Sequence, residues 1–126
     1  MDWSPEFVAF IREHIVSVEQ IAVLLLVSDD QSRTFDEESI RAALTSSTRS
    51  IRERLAVLRR QGLIEVTEDG RFRYRSDARK DRFVRELREE FARRPVSVIE
   101  LIFSGRDDAL ESFSDAFRLG ADDDRR

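Results

Sequence analysis

The chain has 126 residues, 38% of them charged and 40% hydrophobic, with a formal net charge of −4. That is the make-up of one small folded domain with a charged surface, since a disordered chain would hold too few apolar groups to bury. Cysteine is absent and histidine occurs once, which excludes disulfides, thiolate metal sites and a His-rich metal centre and suits a reducing compartment.

Ser4-Pro5 starts a first helix, because Ser caps and Pro suits the first turn; Trp3, Phe7, Phe10, Ile11 and His14 then recur at helical spacing. His14 lies on that apolar face and reads as a packed core histidine before it reads as a ligand or pH switch. Ser17-x-x-Gln20 has the form of a capping box opening a helix over 17–28. Its run Ile21–Val27 is apolar nearly all round, which marks a central buried helix; at seven residues it is far too short to span a membrane, which takes about 20. Asp29-Asp30 is a solvated loop, with no third ligand at metal spacing. A short helix to Leu44 is capped either by Asp36, with Phe35 and Ile40 as a hydrophobic staple, or by Thr34 paired with Glu37; Ile40, Ala43 and Leu44 face inward.

Thr45-Ser46-Ser47 forms a turn. The next helix runs from Thr48 to Gln61, capped by Ser47, with Ile51, Leu55 and Leu58 inward and Gly62 just past its end. The period then changes to two. Strands over 63–67 and 71–75 flank Asp69-Gly70, a pair that favours a two-residue hairpin turn with both φ positive. Arg71, Arg73 and Arg75 share one face of the second strand. A helix over 77–93 carries the stripe Phe83, Val84, Leu87 and Phe91, and Pro95 ends it. The apolar segment 96–103 is open between helix and strand, with Pro95 and Glu100 tipping it to helix. A last helix over 107–119 places Leu110, Phe113 and Phe117 inward, and 120–126 forms a flexible tail.

Charge is unevenly placed along this plan. Residues 1–46 hold 3 basic and 9 acidic groups, residues 47–75 hold 8 and 4, and residues 76–126 hold 11 and 13. One basic segment sits inside an acidic chain, and affinity for a phosphate backbone follows such local charge more than the total. Of the 22 basic residues only Lys80 is lysine.

Short helix, three-residue turn, amphipathic helix, glycine and hairpin, in that order, describe a winged helix-turn-helix. The fold class is mainly α with a small β-hairpin, with N- and C-terminal helices added. The segment Ile40–Ile64, IRAALTSSTRSIRERLAVLRRQGLI, resembles the DNA-binding helix pair of bacterial winged-helix regulators of the MarR and ArsR kind, and the wing Leu63–Arg75 extends the match. Ser46 departs from the pattern, standing in the turn where these families usually place an apolar residue. The segments VSVIELIFS and SFSDAFRL resemble the tail of small bacterial winged-helix proteins.

The resemblance implies sequence-specific binding of double-stranded DNA. The second helix of the pair would lie in the major groove with its N-terminal residues Thr48, Arg49, Ser50 and Arg52 at base edges. A bidentate arginine–guanine contact is worth about 1–3 kcal/mol of discrimination. Arg59 and Arg60, at the other end of that helix, suit backbone phosphates, and Arg71 and Arg73 would meet phosphates from the wing. A single domain over 1–126 is expected, with a winged-helix unit over 17–75 and flanking segments 1–16 and 76–119 joining two copies in a homodimer. No cofactor, metal or catalytic residue is implied, no effector is named, and no membrane association is expected. The acidic start Met1-Asp2-Trp3-Ser4-Pro5-Glu6 is unlike an export signal, so a cytoplasmic protein is expected. A winged-helix protein–protein module is the alternative, favoured by overall acidity, by Glu53 on the recognition face and by Glu68-Asp69 at the wing tip. Enzyme chemistry is the weakest reading, because the hydroxyls of Ser46, Ser47 and Thr48 have no base partner.

Overall fold

The computed structural model describes residues 3–104. The expected last helix over 107–119 and the tail over 120–126 lie outside the described residues. In chain order the elements are α1 (Pro5–His14), α2 (Val18–Ser28), α3 (Glu37–Leu44), α4 (Thr48–Arg60), β1 (Ile64–Val66), β2 (Phe72–Tyr74), α5 (Ala78–Arg93) and α6 (95–104). The open segment after Pro95 is therefore helix.

Helix starts are specified by side chains. Ser4, Ser17, Asp36, Ser47 and Asp77 each accept a hydrogen bond from the backbone N–H three residues on. Asp36 thus caps α3, and Thr34 is left for another partner. The expected box at Ser17 closes differently: the Gln20 amide oxygen accepts from Val16 N–H at 2.9 Å instead of from Ser17. The same fully buried amide donates to His14 C=O at 2.6 Å and to the Gln61 side chain at 3.2 Å, and Gln61 donates to His14 C=O at 2.8 Å. This satisfied polar knot ties the end of α1 to the start of α2 and the end of α4. The His14 ring stacks on Phe10 with centroids 4.4 Å apart, in keeping with a packing histidine.

Helix ends are equally specific. At α4, Leu63 N–H reaches Leu58 C=O and Gly62 N–H reaches Arg59 C=O, a Schellman closure with Gly62 at φ +74°. Lys80 donates to Gln61 C=O at 2.6 Å, adding a side-chain cap at this end. At α3 the same pattern runs from Ser46 to Arg41 and from Thr45 to Ala42, and it forces Thr45 to φ +53°, a left-handed conformation that a β-branched residue adopts only under strain.

The hairpin is tighter in strand and longer in turn than the sequence suggests. Its register is Ile64↔Tyr74, Glu65↔Arg73 and Val66↔Phe72. Only Gly70 has positive φ, at +81°, and Gly70 N–H bonds to Thr67 C=O at 2.9 Å. The loop is thus Glu68-Asp69-Gly70 with the glycine alone in the left-handed region, in place of the two-residue turn with both φ positive. Phe35 adds a third short rung, exchanging backbone hydrogen bonds of 2.8 and 2.7 Å with Phe72.

One hydrophobic cluster runs through all of these elements. Ile21, Val23, Leu24 and Val27 of α2 are fully buried at its centre, and Ile40, Ile51, Leu55, Leu58, Leu63 and Tyr74 pack the winged-helix part around them. From α1, Phe7, Phe10 and Ile11 join the same cluster, with Phe10 stacked on Phe83 of α5 at 5.1 Å. Phe83, Val84 and Leu87 are at most 2% exposed, so this stripe is core of a single chain and not a free face for a second copy. Ala43, expected inward, is exposed, because α3 is short and only its Ile40 edge reaches the cluster. Glu90, 7% exposed, is matched by Trp3 Nε1 at 2.8 Å and Arg94 at 2.6 Å, and these contacts hold its carboxyl below the usual range.

Candidate nucleic-acid interface

The turn between α3 and α4 delivers the N-terminal half of α4 to the surface. Thr48, Arg49, Arg52, Glu53 and Ala56 are exposed on one face, while Ile51, Leu55 and Leu58 bury the other. No acidic residue stands in the first turn of α4, whereas α1, α2, α3 and α5 each have at least one. The carboxylates near this helix start come from other helices, Glu19 of α2 on Ser50 and Glu37 of α3 on Arg52.

The predicted residues separate into three groups. Thr48, Arg49 and Arg52 come together on the exposed face. Arg49 is 91% exposed and only loosely paired with Glu53, at 3.8 Å. Arg52, 69% exposed, is held by its Nε between the two Glu37 oxygens at 3.1 and 3.0 Å. Ser50 leaves this group: its hydroxyl turns inward to the Glu19 carboxylate, away from the solvent face. Arg59 and Arg60 are exposed with no ion-pair partner among the described residues, but they lie roughly 15 Å along the helix axis from Arg49. The wing residues form the third group, and both are engaged within the chain. Arg71 donates to the Thr34 hydroxyl at 2.8 Å and carbonyl at 3.1 Å and lies 3.5 Å from Asp36. Arg73 pairs across the strands with Glu65, which Arg75 also approaches at 3.4 Å.

Two acidic residues to which sequence reasoning gave no role at the site organise the surface. Glu19, in the first turn of α2, receives Ser50 and also Arg54 at 3.1 Å. Hydrogen bonding from Ser46, then Ser50, then Arg54 holds its carboxyl below the ordinary value. In the turn itself the Ser46 hydroxyl donates to Leu44 C=O at 3.4 Å. Glu37, first residue of α3, is the other organiser. Their acidic first-turn positions were legible in sequence, but their arginines lie 35 and 15 residues away.

No protein-family model matches the sequence, and no curated protein is significantly similar to it. Solved structures are similar in fold. MepR, a transcription regulator of the Staphylococcus aureus multidrug efflux pump MepA, superposes with a TM-score of 0.52 at 14% identity, over 91% of this chain and 87% of that one. MepR in a DNA complex gives 0.51 at 14% identity, over 90% and 86%. A Listeria innocua protein of unknown function gives 0.51 at 20% identity, over 93% and 81%. The fold shared with these structures is a winged helix with further helices on both sides.

Proposed function

We propose that this chain binds double-stranded DNA in a sequence-specific manner, as a homodimeric transcriptional regulator. The observation that carries the reading is the exposed N-terminal face of α4, with Thr48, Arg49 and Arg52 on a helix whose first turn lacks acid. The likeness to MepR, one of whose structures is a DNA complex, supports it at the level of fold. In this reading Arg49 and Arg52 meet base edges, and Thr48 and Ser50 meet a phosphate or base. Ser50 must first leave Glu19 to do so. Arg59, Arg60, Arg71 and Arg73 meet phosphates. The internal partners of the wing arginines do not bar this, because their side chains are 37% and 41% exposed and a phosphate can reach them beside those partners.

The dimer is assigned to the segments flanking the winged-helix unit, within a single domain over 1–126. Since α5 buries its stripe at home, the large apolar side chains left exposed among the described residues are Val16, at 44%, and on α6 Val96, at 66%, and Phe103, at 46%. No helix among the described residues is long and apolar enough to cross a membrane, and a cytoplasmic location fits a DNA ligand.

Mobility-shift titration of random duplex DNA at several salt concentrations tests the reading. Binding that weakens linearly in log–log form as salt rises is expected. Absence of any shift at low ionic strength would favour a protein-binding module instead. That second reading draws on the acids that share the surface, Glu53 beside Arg49 and Glu68-Asp69 at the wing tip.

A further inference from the structure

The arginines of the recognition region differ in how they are held. Arg54 and Arg73 each donate from Nε to an acidic side chain, Glu19 and Glu65, and their side chains are only 26% and 41% exposed. Arg71 has all three guanidinium nitrogens engaged with Thr34 and Asp36. Arg49 projects with a single contact at 3.8 Å and is free to turn. Arg52 is different. It is 69% exposed, yet both Glu37 oxygens close on its Nε, and among the described residues Nη1 and Nη2 have no hydrogen-bond partner.

That geometry has a chemical consequence. A guanidinium can grip two adjacent acceptors through its Nε–Nη side or through its Nη1–Nη2 end. With Nε occupied, only the end remains, and two parallel donors of that spacing match O6 and N7 of guanine. The clamp is itself well founded. Glu37 is the first residue of α3, directly after the Asp36 cap, where the helix dipole favours a carboxylate. The α3–α4 pair that sets the Glu37–Arg52 distance is fixed by buried Ile40, Ile51 and Leu55.

Resting on the DNA-binding reading above, we infer that Glu37 is a specificity-determining residue. It holds Arg52 by Nε and presents the Nη1–Nη2 end to one guanine of the bound duplex. Glu37 touches no base itself; it acts by limiting how Arg52 can turn, and its charge also discourages Arg52 from serving as a general phosphate contact.

The test is selection from a randomised duplex library with the full chain, carried out for the wild type, Glu37→Ala, Arg52→Ala and the double variant. In the wild-type motif one G·C column is expected to vanish in Arg52→Ala. In Glu37→Ala the guanine preference at that same column should fall about tenfold, with the other columns retained and affinity for random duplex no lower. The double variant should match Arg52→Ala at that column. Glu37→Asp keeps the charge and the helix start but is one methylene too short, and it should behave as Glu37→Ala; this variant decides the matter if Glu37→Ala melts early. A column unchanged in both Glu37 variants, or all columns fading together, would overturn the inference while DNA binding stands. Survival of every column in Arg52→Ala would do the same. A wild-type chain that selects no motif would remove the DNA-binding reading and this inference with it.

Discussion

At the residue scale, side chains of one chemical type do different jobs according to what faces them. Arg49 and Arg52 reach solvent from the first two turns of α4, whereas Arg54, two residues on, is half-buried against Glu19. Replacing Arg49 or Arg52 with Ala should therefore cost about 1–3 kcal/mol on a selected site and clearly less on random duplex. Paired titrations at fixed salt measure both, and equal losses would reduce these residues to phosphate contacts. Glu19 gives a prediction about pH. Its carboxyl is held below the ordinary 4.5 by Ser46 first, then by Ser50 and Arg54. A depressed carboxylate contributes stability that is complete above its unfolded value and is lost as pH falls through its folded one. Glu19→Gln should be less stable at pH 7 by about 1–2 kcal/mol, and the difference should shrink on acidification below 4.5. Urea melts at both pH values would show it, and a pH-independent difference would mean that the charge is irrelevant.

At the element scale, the turn between α3 and α4 and the wing decide how the surface is shaped. Thr45 carries φ +53° because the Schellman closure of α3 demands a left-handed residue there. Thr45→Gly should raise stability by about 0.5–1 kcal/mol, since the relief of strain outweighs the added chain entropy of glycine. A thermal melt checks the sign. The wing is anchored at three points: the Phe35–Phe72 rung, the Arg71–Thr34 contact, and Tyr74, whose hydroxyl donates to Asp81 at 2.6 Å. Burial first, and the Asp81 carboxylate second, push the Tyr74 hydroxyl above its ordinary value, so it stays a donor. If Arg71 and Arg73 meet phosphates, their joint replacement by Ala should weaken specific and random duplex alike. The log–log salt slope should shrink by about one per lost contact. An unchanged slope would confine both residues to holding the wing.

At the scale of the whole molecule, the question is which apolar surface belongs to one chain and which to two. Leu87 is fully buried between α5 and the shared core. Leu87→Ala should cost about 2–5 kcal/mol, and Leu87→Asp should unfold the protein instead of yielding a folded monomer. Val96 and Phe103 are the exposed apolar residues of α6, so Val96→Asp with Phe103→Asp should preserve the fold and separate the copies. Light scattering with circular dichroism distinguishes the outcomes. A folded wild type with a mass near 14.7 kDa would remove the dimer, and with it the expectation of a palindromic site.

The amino-acid order was enough to place α1 to α5 and the hairpin, because those signals are local, whereas 96–103 stayed open between helix and strand. Ser4, Ser17, Ser47 and Gly62 act within four residues of their own backbone, and the change from period 3.6 to period 2 marks the wing directly. It was also enough to find the basic stretch and the face of α4. Pairing across the fold was beyond it. Nothing near Arg52 or Arg54 in the chain announces Glu37 or Glu19, and Ser50 differs from Thr48 only in which way its position on α4 faces. The stripe on α5 showed the same limit, since an amphipathic pattern states that a face is covered and not by what. Only the packing of α1, α2 and α5 around Phe10, Leu24 and Phe83 assigned that face to the chain's own core. An apolar group lowers its free energy by leaving water against any close-packed neighbour, so the neighbour's identity is a property of the assembled fold.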